Sequence, residues 1–249
     1  MTIAWHTRYN IIGDSDPMYK SFAYADRDLQ PYQISSIVTI PTSLDFNYTS
    51  DGDMVSNVAY DMFTRTPAGH PNYELTVWLA TYGDIKPKST TGQPIKTVNV
   101  AGVDFDLYFG YNQNINAFSY VAKQPVTSFK GDLKLFFTEL PSDNTIPGNQ
   151  YLQVLQAGTQ AFKSTNAQLS VTSYSVSDLP TEEEESSSEE DDEAVDVDSD
   201  DDNEGVSGTS SEEDAASTNL GAGVISNDSD ADEGDTEADQ PRAAQTIVV

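Results

Sequence analysis

Aromatic residues and charge divide this chain sharply between its two ends. Every Phe, Trp and Tyr lies before residue 181. From Thr181 onward the chain holds 25 of its 41 Asp and Glu but only one of its 12 bases, Arg242, so this stretch carries −24 of the net −29. A segment so charged and so poor in apolar surface cannot offset the entropy of ordering itself. Residues 180–249 are therefore expected to form a disordered acidic low-complexity tail. Residues 1–179 hold all the aromatic surface and are long enough for one domain with a core of its own.

The charge balance also narrows function. Neither part offers the basic patch needed to neutralise phosphates, which argues against nucleic acid as a partner. No stretch of about 18 apolar residues is present, so no membrane-spanning helix is expected. The opening MTIAWHTRYN lacks the apolar region of a signal peptide. With no Cys, and His6 and His70 as the only histidines, a nucleophilic triad or a metal site has almost no side chains to draw on. No cofactor is expected.

Residues 1–179 read as short strands separated by turns. Strand candidates rich in β-branched and aromatic residues are 33–40, 57–63, 73–80, 103–110, 118–122, 150–157 and 168–176. Turn clusters occupy 49–53 (TSDGD), 66–72 (TPAGHPN) and 141–149 (PSDNTIPGN). One segment, about 132–140, breaks the pattern. Leu133, Phe136, Phe137 and Leu140 fall at i, i+3, i+4 and i+7, and Pro141 stops the run, which predicts one short amphipathic helix. Many strands and a single helix predict an all-β, two-sheet curved jelly-roll sandwich.

The strand YELTVWL (73–79) poses the question of function. Alternation puts Leu75, Val77 and Leu79 on one face and Glu74, Thr76 and Trp78 on the other. The first face reads as core. The second sets a carboxylate beside an aromatic, as a sugar-binding or catalytic groove would; a solvent-facing Glu on an edge strand is the alternative. In NVAYDMF (57–63), Asp61 shares a side with Asn57, Ala59 and Phe63, where a second carboxylate can orient a nucleophile and tune its protonation.

TIAWHTRY, NVAYDMF, NYELTVWLATYG, FKGDLKLFF and YLQVLQAGTQAFKSTNAQLSVTSYSV occur in that order. Together they resemble glycoside hydrolase family 12, the small endo-β-1,4-glucanases that include xyloglucan-specific enzymes of oomycetes and fungi. The resemblance spans about residues 2–179 and implies a curved jelly roll whose concave face forms an open glucan cleft. By resemblance, Glu74 falls on the nucleophile, Asp61 on its supporting carboxylate and Trp5 on an aromatic that stacks on sugar; Trp78, on the side of Glu74 by alternation, is a further substrate-binding candidate. The partner acid/base is expected in a Gly-Thr-Glu-Pro-Phe motif, and here the stretch is Gly158-Thr159-Gln160-Ala161-Phe162. The acid/base position thus holds Gln160. An amide has no proton to give at working pH, and both halves of a retaining hydrolysis need that group. Glu139, Asp143, Asp104 and Asp106 are other acids of the domain, but none has the motif's position. Thr76 and Tyr9 stand where the resemblance leads one to expect Met and Trp.

The resemblance also places a signal peptide and further strands ahead of the segment matching TIAWHT. On that reading the domain is incomplete at its N-terminus and sheet edges are left uncovered. Three functions follow as alternatives. The first is a catalytically impaired relative that acts by being bound, as a decoy for a plant glucanase-inhibitor protein or receptor. The second is an active endo-β-1,4-glucanase cutting cell-wall xyloglucan. The third is a non-hydrolytic glucan-binding module, for which a β-1,4-glucan or xyloglucan chain is the partner. Family resemblance implies an extracellular setting, the plant apoplast. Asn47 and Asn227 lie in glycosylation sequons, meaningful only there. The serines at 186–188, 199, 210 and 211 have acids three residues on, a pattern favoured by acidophilic kinases. The terminal TIVV has the form of a recognition tag.

Overall fold

The computed structural model describes residues 2–11, 21–177, 179–180 and, as backbone, 245–248. Twelve strands and one helix are present among them: β1 (Thr2–Ile11), β2 (Ser21–Asp26), β3 (Tyr32–Gln33), β4 (Pro41–Thr49), β5 (Val55–Arg65), β6 (Pro71–Tyr82), β7 (Lys96–Val100), β8 (Val103–Asn112), β9 (Ile115–Ala122), β10 (Ser128–Asp132), α1 (Lys134–Thr138), β11 (Tyr151–Val176) and β12 (Gln245–Val248). The remainder of the acidic tail lies outside the described residues.

Two sheets share one strand. The C-terminal half of β11 pairs with β4 on one side and β1 on the other, and β10 closes beyond β4. The N-terminal half of β11 lies between β5 and β2 in a broader sheet that runs on through β6, β9, β8 and β7. Positions 150–157 and 168–176, read from sequence as separate strands, are thus parts of one 26-residue strand that passes from sheet to sheet. β6 and β9 run parallel; β12 runs parallel to β2 along its outer side. The all-β jelly roll with one helix is the observed fold.

The sheets face each other across a continuous core. Val58, Tyr60, Met62, Leu75, Val77 and Leu79 point into it from the broad sheet, against Leu44, Phe46, Leu169, Val171 and Tyr174 from the other. A Thr42–Tyr60 hydroxyl bond of 2.9 Å ties the layers together at a buried polar pair. Burying this apolar surface is the main favourable term in holding such a sandwich together.

Two local expectations need correction. Residues 33–40 are not a continuous strand: the strand is Tyr32–Gln33, and the chain then turns, with Ser36 and Ile37 N–H donating back to Gln33. Ile34, Ile37 and Ile40 sit three apart and are all buried, a turn spacing that alternation cannot produce. The helix is shorter than 132–140. Asp132 closes β10, and its carboxylate accepts from the N–H of Ile40 and Lys134 and from Thr39 Oγ1, so coiling begins only after it. Leu133, Phe136, Phe137 and Leu140 are buried as their spacing predicts.

Candidate functional site

Glu74 is not on an edge. β6 has β5 on one side and β9 on the other, so Glu74 lies within the broad sheet, 6 % exposed. Its face is the one turned away from the sandwich core. Registry carries that face across five strands. Phe63 lies opposite Glu74, Asp61 opposite Thr76 and Ala59 opposite Trp78. On β11, Gln156 lies opposite Asp61 and Gly158 opposite Ala59. On β9 and β8, Ala117 and Gly110 continue the row of Glu74, and Ser119 and Tyr108 continue that of Thr76. Leu75, Val77 and Leu79 fill the core side. Sequence alternation therefore sorts this strand correctly.

Asp61 and Glu74 form a buried, interacting acid pair. Gln156 Nε2 donates to Asp61 Oδ2 at 3.3 Å, while Asp61 Oδ1 and Glu74 Oε2 are buried without a partner. Burial pushes the Asp61 carboxyl well above the usual carboxylate range and the charge of Glu74 raises it further; the Gln156 hydrogen bond and Lys88 oppose this. Burial raises Glu74 as well, against a side-chain hydrogen bond from Asn112 and the Lys88 charge. Two acids so placed resist ionising together, so one proton is retained on the pair to higher pH than either acid alone would hold it.

The other end of the face is built around an amide. Asn57 Nδ2 donates to Gln160 Oε1 at 2.9 Å, and Gln160 N–H donates to Asn57 Oδ1 at 3.0 Å. One asparagine thereby holds both the side chain and the backbone of Gln160. Next to it, Thr159 points inward to share a 2.9 Å hydroxyl bond with Tyr48, whose own phenol is pushed up to about 12, chiefly by burial. Gly158 permits close approach: a Cβ there would come within 2.1 Å of Ala23 O and 2.6 Å of Tyr24 Cα on β2. Phe22 and Tyr24, in ring contact at 4.7 Å, sit opposite Gln160 and Gly158 and add aromatic surface to the same face.

Trp78 joins the face, 6 % exposed, with its indole N–H unpartnered. Trp5 does not lie on the strands that carry the acids. It sits on β1 opposite Val171 in the other sheet, half-buried against the core. Thr76 donates to Ser119 Oγ at 3.0 Å, and Tyr9 packs edge-on against Tyr48. The remaining acids are engaged elsewhere or lie in solvent. Glu139 pairs with Lys96, Asp106 with Lys123 and Thr97, Asp104 accepts from Asn99, and Asp143 is exposed. A hydroxyl-lined pocket of about 430 Å³ bordered by Pro41, Asp45, Lys130 and Ser177 lies on the other sheet and includes none of these residues. Among the described residues no group of three His, Cys, Asp or Glu is placed to hold a metal, and no helix is long and apolar enough to cross a membrane.

Asn57, Gln156, Asn112 and Lys88 are contributors that sequence reading did not single out. Asn57 was visible from sequence as a polar residue sharing a side with Asp61. Lys88 comes from a loop, where no periodicity points anywhere.

The chain matches the family model for glycosyl hydrolase family 12 over residues 2–178. It is 42 % identical over 178 residues to xyloglucan-specific endo-beta-1,4-glucanase 1 of Phytophthora nicotianae, covering 71 % of this chain and 74 % of that one. It is also 41 % identical over 177 residues, with the same coverage, to the inactive glycoside hydrolase XLP1 of the same organism. Among solved structures, the catalytic domain of Humicola grisea Cel12A in complex with a thio cellotetraose superposes with a TM-score of 0.65 at 34 % identity, covering 71 % of this chain and 80 % of that one. Fold, matched span and relatives agree that this chain belongs to glycosyl hydrolase family 12.

Proposed function

We propose that this protein is a non-hydrolytic member of its family that holds a β-1,4-glucan, of the xyloglucan type, along the face carrying Glu74, Asp61 and Trp78. On this reading Glu74 occupies the nucleophile position, Asp61 is the carboxylate supporting it, and Gln160 stands where the acid/base would act. The observation that carries it is the state of Gln160, whose side-chain oxygen and backbone N–H are both bonded by Asn57. Its hydrogen-bonding shape is close to that of Glu, so a sugar hydroxyl can still be met, but it has no proton for a leaving oxygen and cannot deprotonate water. Overall similarity does not decide activity, since the relative named as a glucanase and the one named as inactive stand within one percentage point of each other. The chemistry at position 160 separates the alternatives.

A protein that keeps the family's surface without turnover acts by being bound. We assign it an extracellular role in which it occupies a plant glucanase-inhibitor protein or receptor and so shields an active relative, with Trp5 and Trp78 as candidate sugar contacts. The domain responsible is 1–179, with 180–249 as an appended tail whose residues 245–248 pair with β2. The test sets native chain beside Gln160→Glu and follows reducing-end release from xyloglucan and mixed-linkage β-glucan, with cellotetraose binding by calorimetry. The reading expects binding with silence from the native chain and cutting by the variant. Hydrolysis by the native chain overturns it in favour of a working glucanase. The decoy role is checked by competition with an active family member for the inhibitor, and failure to compete leaves only glucan binding.

A further inference from the structure

The loop between β6 and β7 crosses the same face that carries the acids. Gly110 on β8 lies in the strand-to-strand row of Glu74, two strands away, with Ala117 between. A Cβ at Gly110 would meet the carbonyl carbon of Lys88 at 2.6 Å and its oxygen at 2.8 Å. The backbone of Lys88 therefore rests on the sheet where glycine leaves room for it. Thr90 N–H donates to Phe109 O at 2.9 Å and pins the loop there. From this seat the Lys88 ammonium donates to Asn112 Oδ1, and Asn112 in turn hydrogen-bonds Glu74.

Lys86, nearby in the loop, is engaged by Asp84 at 2.7 Å. Lys88 instead turns to an uncharged amide, and its field falls on both buried acids. Gln156 from β11 and Asn112 from β8 hydrogen-bond the pair, and Ser119 on β9 and Tyr108 on β8 lie in the strand-to-strand row of Thr76 and Asp61. Lys88 is the cation acting on both members of the pair.

We propose that Lys88 is a counter-ion built into the cleft that favours retention of anionic Glu74 but opposes the positive charge a sugar ring develops during glycosidic cleavage, a second brake on hydrolysis independent of Gln160. The proposal rests on Glu74 being the residue that meets the anomeric carbon. In the Gln160→Glu variant, a Glu74 oxygen bonds to that carbon while its bond to the leaving oxygen breaks. The bond pair stays with the leaving oxygen, which takes the proton of the carboxyl restored at position 160. Between these states the ring is oxocarbenium-like. A fixed ammonium beside it raises that state relative to the neutral bound sugar, and so slows the step without weakening binding. For an exposed lysine, solvent screening limits the effect to roughly tenfold at low salt, shrinking as ionic strength rises.

Two measurements separate this from the loss of the acid. Gln160→Glu is compared with Gln160→Glu/Lys88→Met for reducing-end release, and the double variant is expected to be about tenfold faster at low salt. Equal or slower hydrolysis overturns the proposal. Binding of a cellobiose-configured imino sugar, protonated where the anomeric carbon would be, is compared with binding of neutral cellotetraose in the native background. Lys88→Met is expected to improve the cation's affinity about tenfold more than the neutral sugar's; parallel changes in both overturn it. If no glucan binds, the functional reading above fails on its own, and carboxyl titration by carbon NMR still tests Lys88. Its replacement is expected to raise the midpoint of the Glu74–Asp61 pair, and an unmoved midpoint sinks the idea.

Discussion

The two ends of the candidate face are held in opposite ways. Asp61 and Glu74 are buried with one oxygen each unpartnered, and each raises the cost of ionising the other. Gln160 is relaxed, with its side-chain oxygen and backbone N–H both satisfied by Asn57. Buried groups left unsatisfied cost stability, and they persist where they serve or served chemistry. The acid pair bears that cost and the amide end does not; on the proposed reading, the same fold carries one half of a retaining site and a hydrogen-bonded replacement for the other half.

The largest expected effect erases this difference. Gln160→Glu should gain hydrolysis on the scale of general acid–base assistance, about 10²–10⁴-fold, and Glu74→Gln in that background should abolish it. A revertant as silent as the native chain would mean that the acid pair is also out of position.

Next in size is the close seat of β2 beside the amide. Gly158→Ala forces a Cβ to 2.1 Å from Ala23 O. We expect a loss of about 1–3 kcal/mol, read as a lower melting temperature, and reduced cellotetraose affinity. An unchanged melting temperature would show that β2 moves freely away from β11.

The pH dependence of stability tests the acid end. Both acids titrate above their usual range in the fold, so the cost they impose is absent below the unfolded carboxylate range near pH 4. Stability is then lost as pH rises toward the folded values. Asp61→Asn should therefore melt higher than the native chain near neutral pH, with the gap closing as pH falls to about 4. A gap that is constant with pH would remove the electrostatic account of the pair.

The smallest effect concerns β12. Deleting residues 245–249 should leave the acid end untouched while β2, which borders Gln160, loses its parallel neighbour. Faster amide hydrogen exchange confined to β2 is the expected readout, with little change in melting temperature. Exchange unaltered at β2 would show that this strand does not depend on the pairing.

Much of this was legible beforehand because strand alternation is a local rule. Glu74 and Trp78 could be set opposite Leu75 and Val77 from spacing alone, and Leu133, Phe136, Phe137 and Leu140 declared the buried side of a helix. The identity of residue 160 is a fact of the chain that no fold can alter: an amide there has no proton to transfer. Other features are products of distance in sequence. Ile34, Ile37 and Ile40 looked like a strand because their β-branched character is real, but the chain turns between them, with the Ser36 and Ile37 N–H groups donating back to Gln33.

That β11 serves two sheets, that Asn57 grips a glutamine 103 residues away, and that a loop lysine rests over Gly110 all follow from which strands lie side by side. Burial is likewise collective. Sequence determined which groups can carry charge, give protons or face a common side. Only tertiary structure decided that Asp61 and Glu74 would be shut away from water together, since desolvation is imposed by neighbours the chain brings from far along its length.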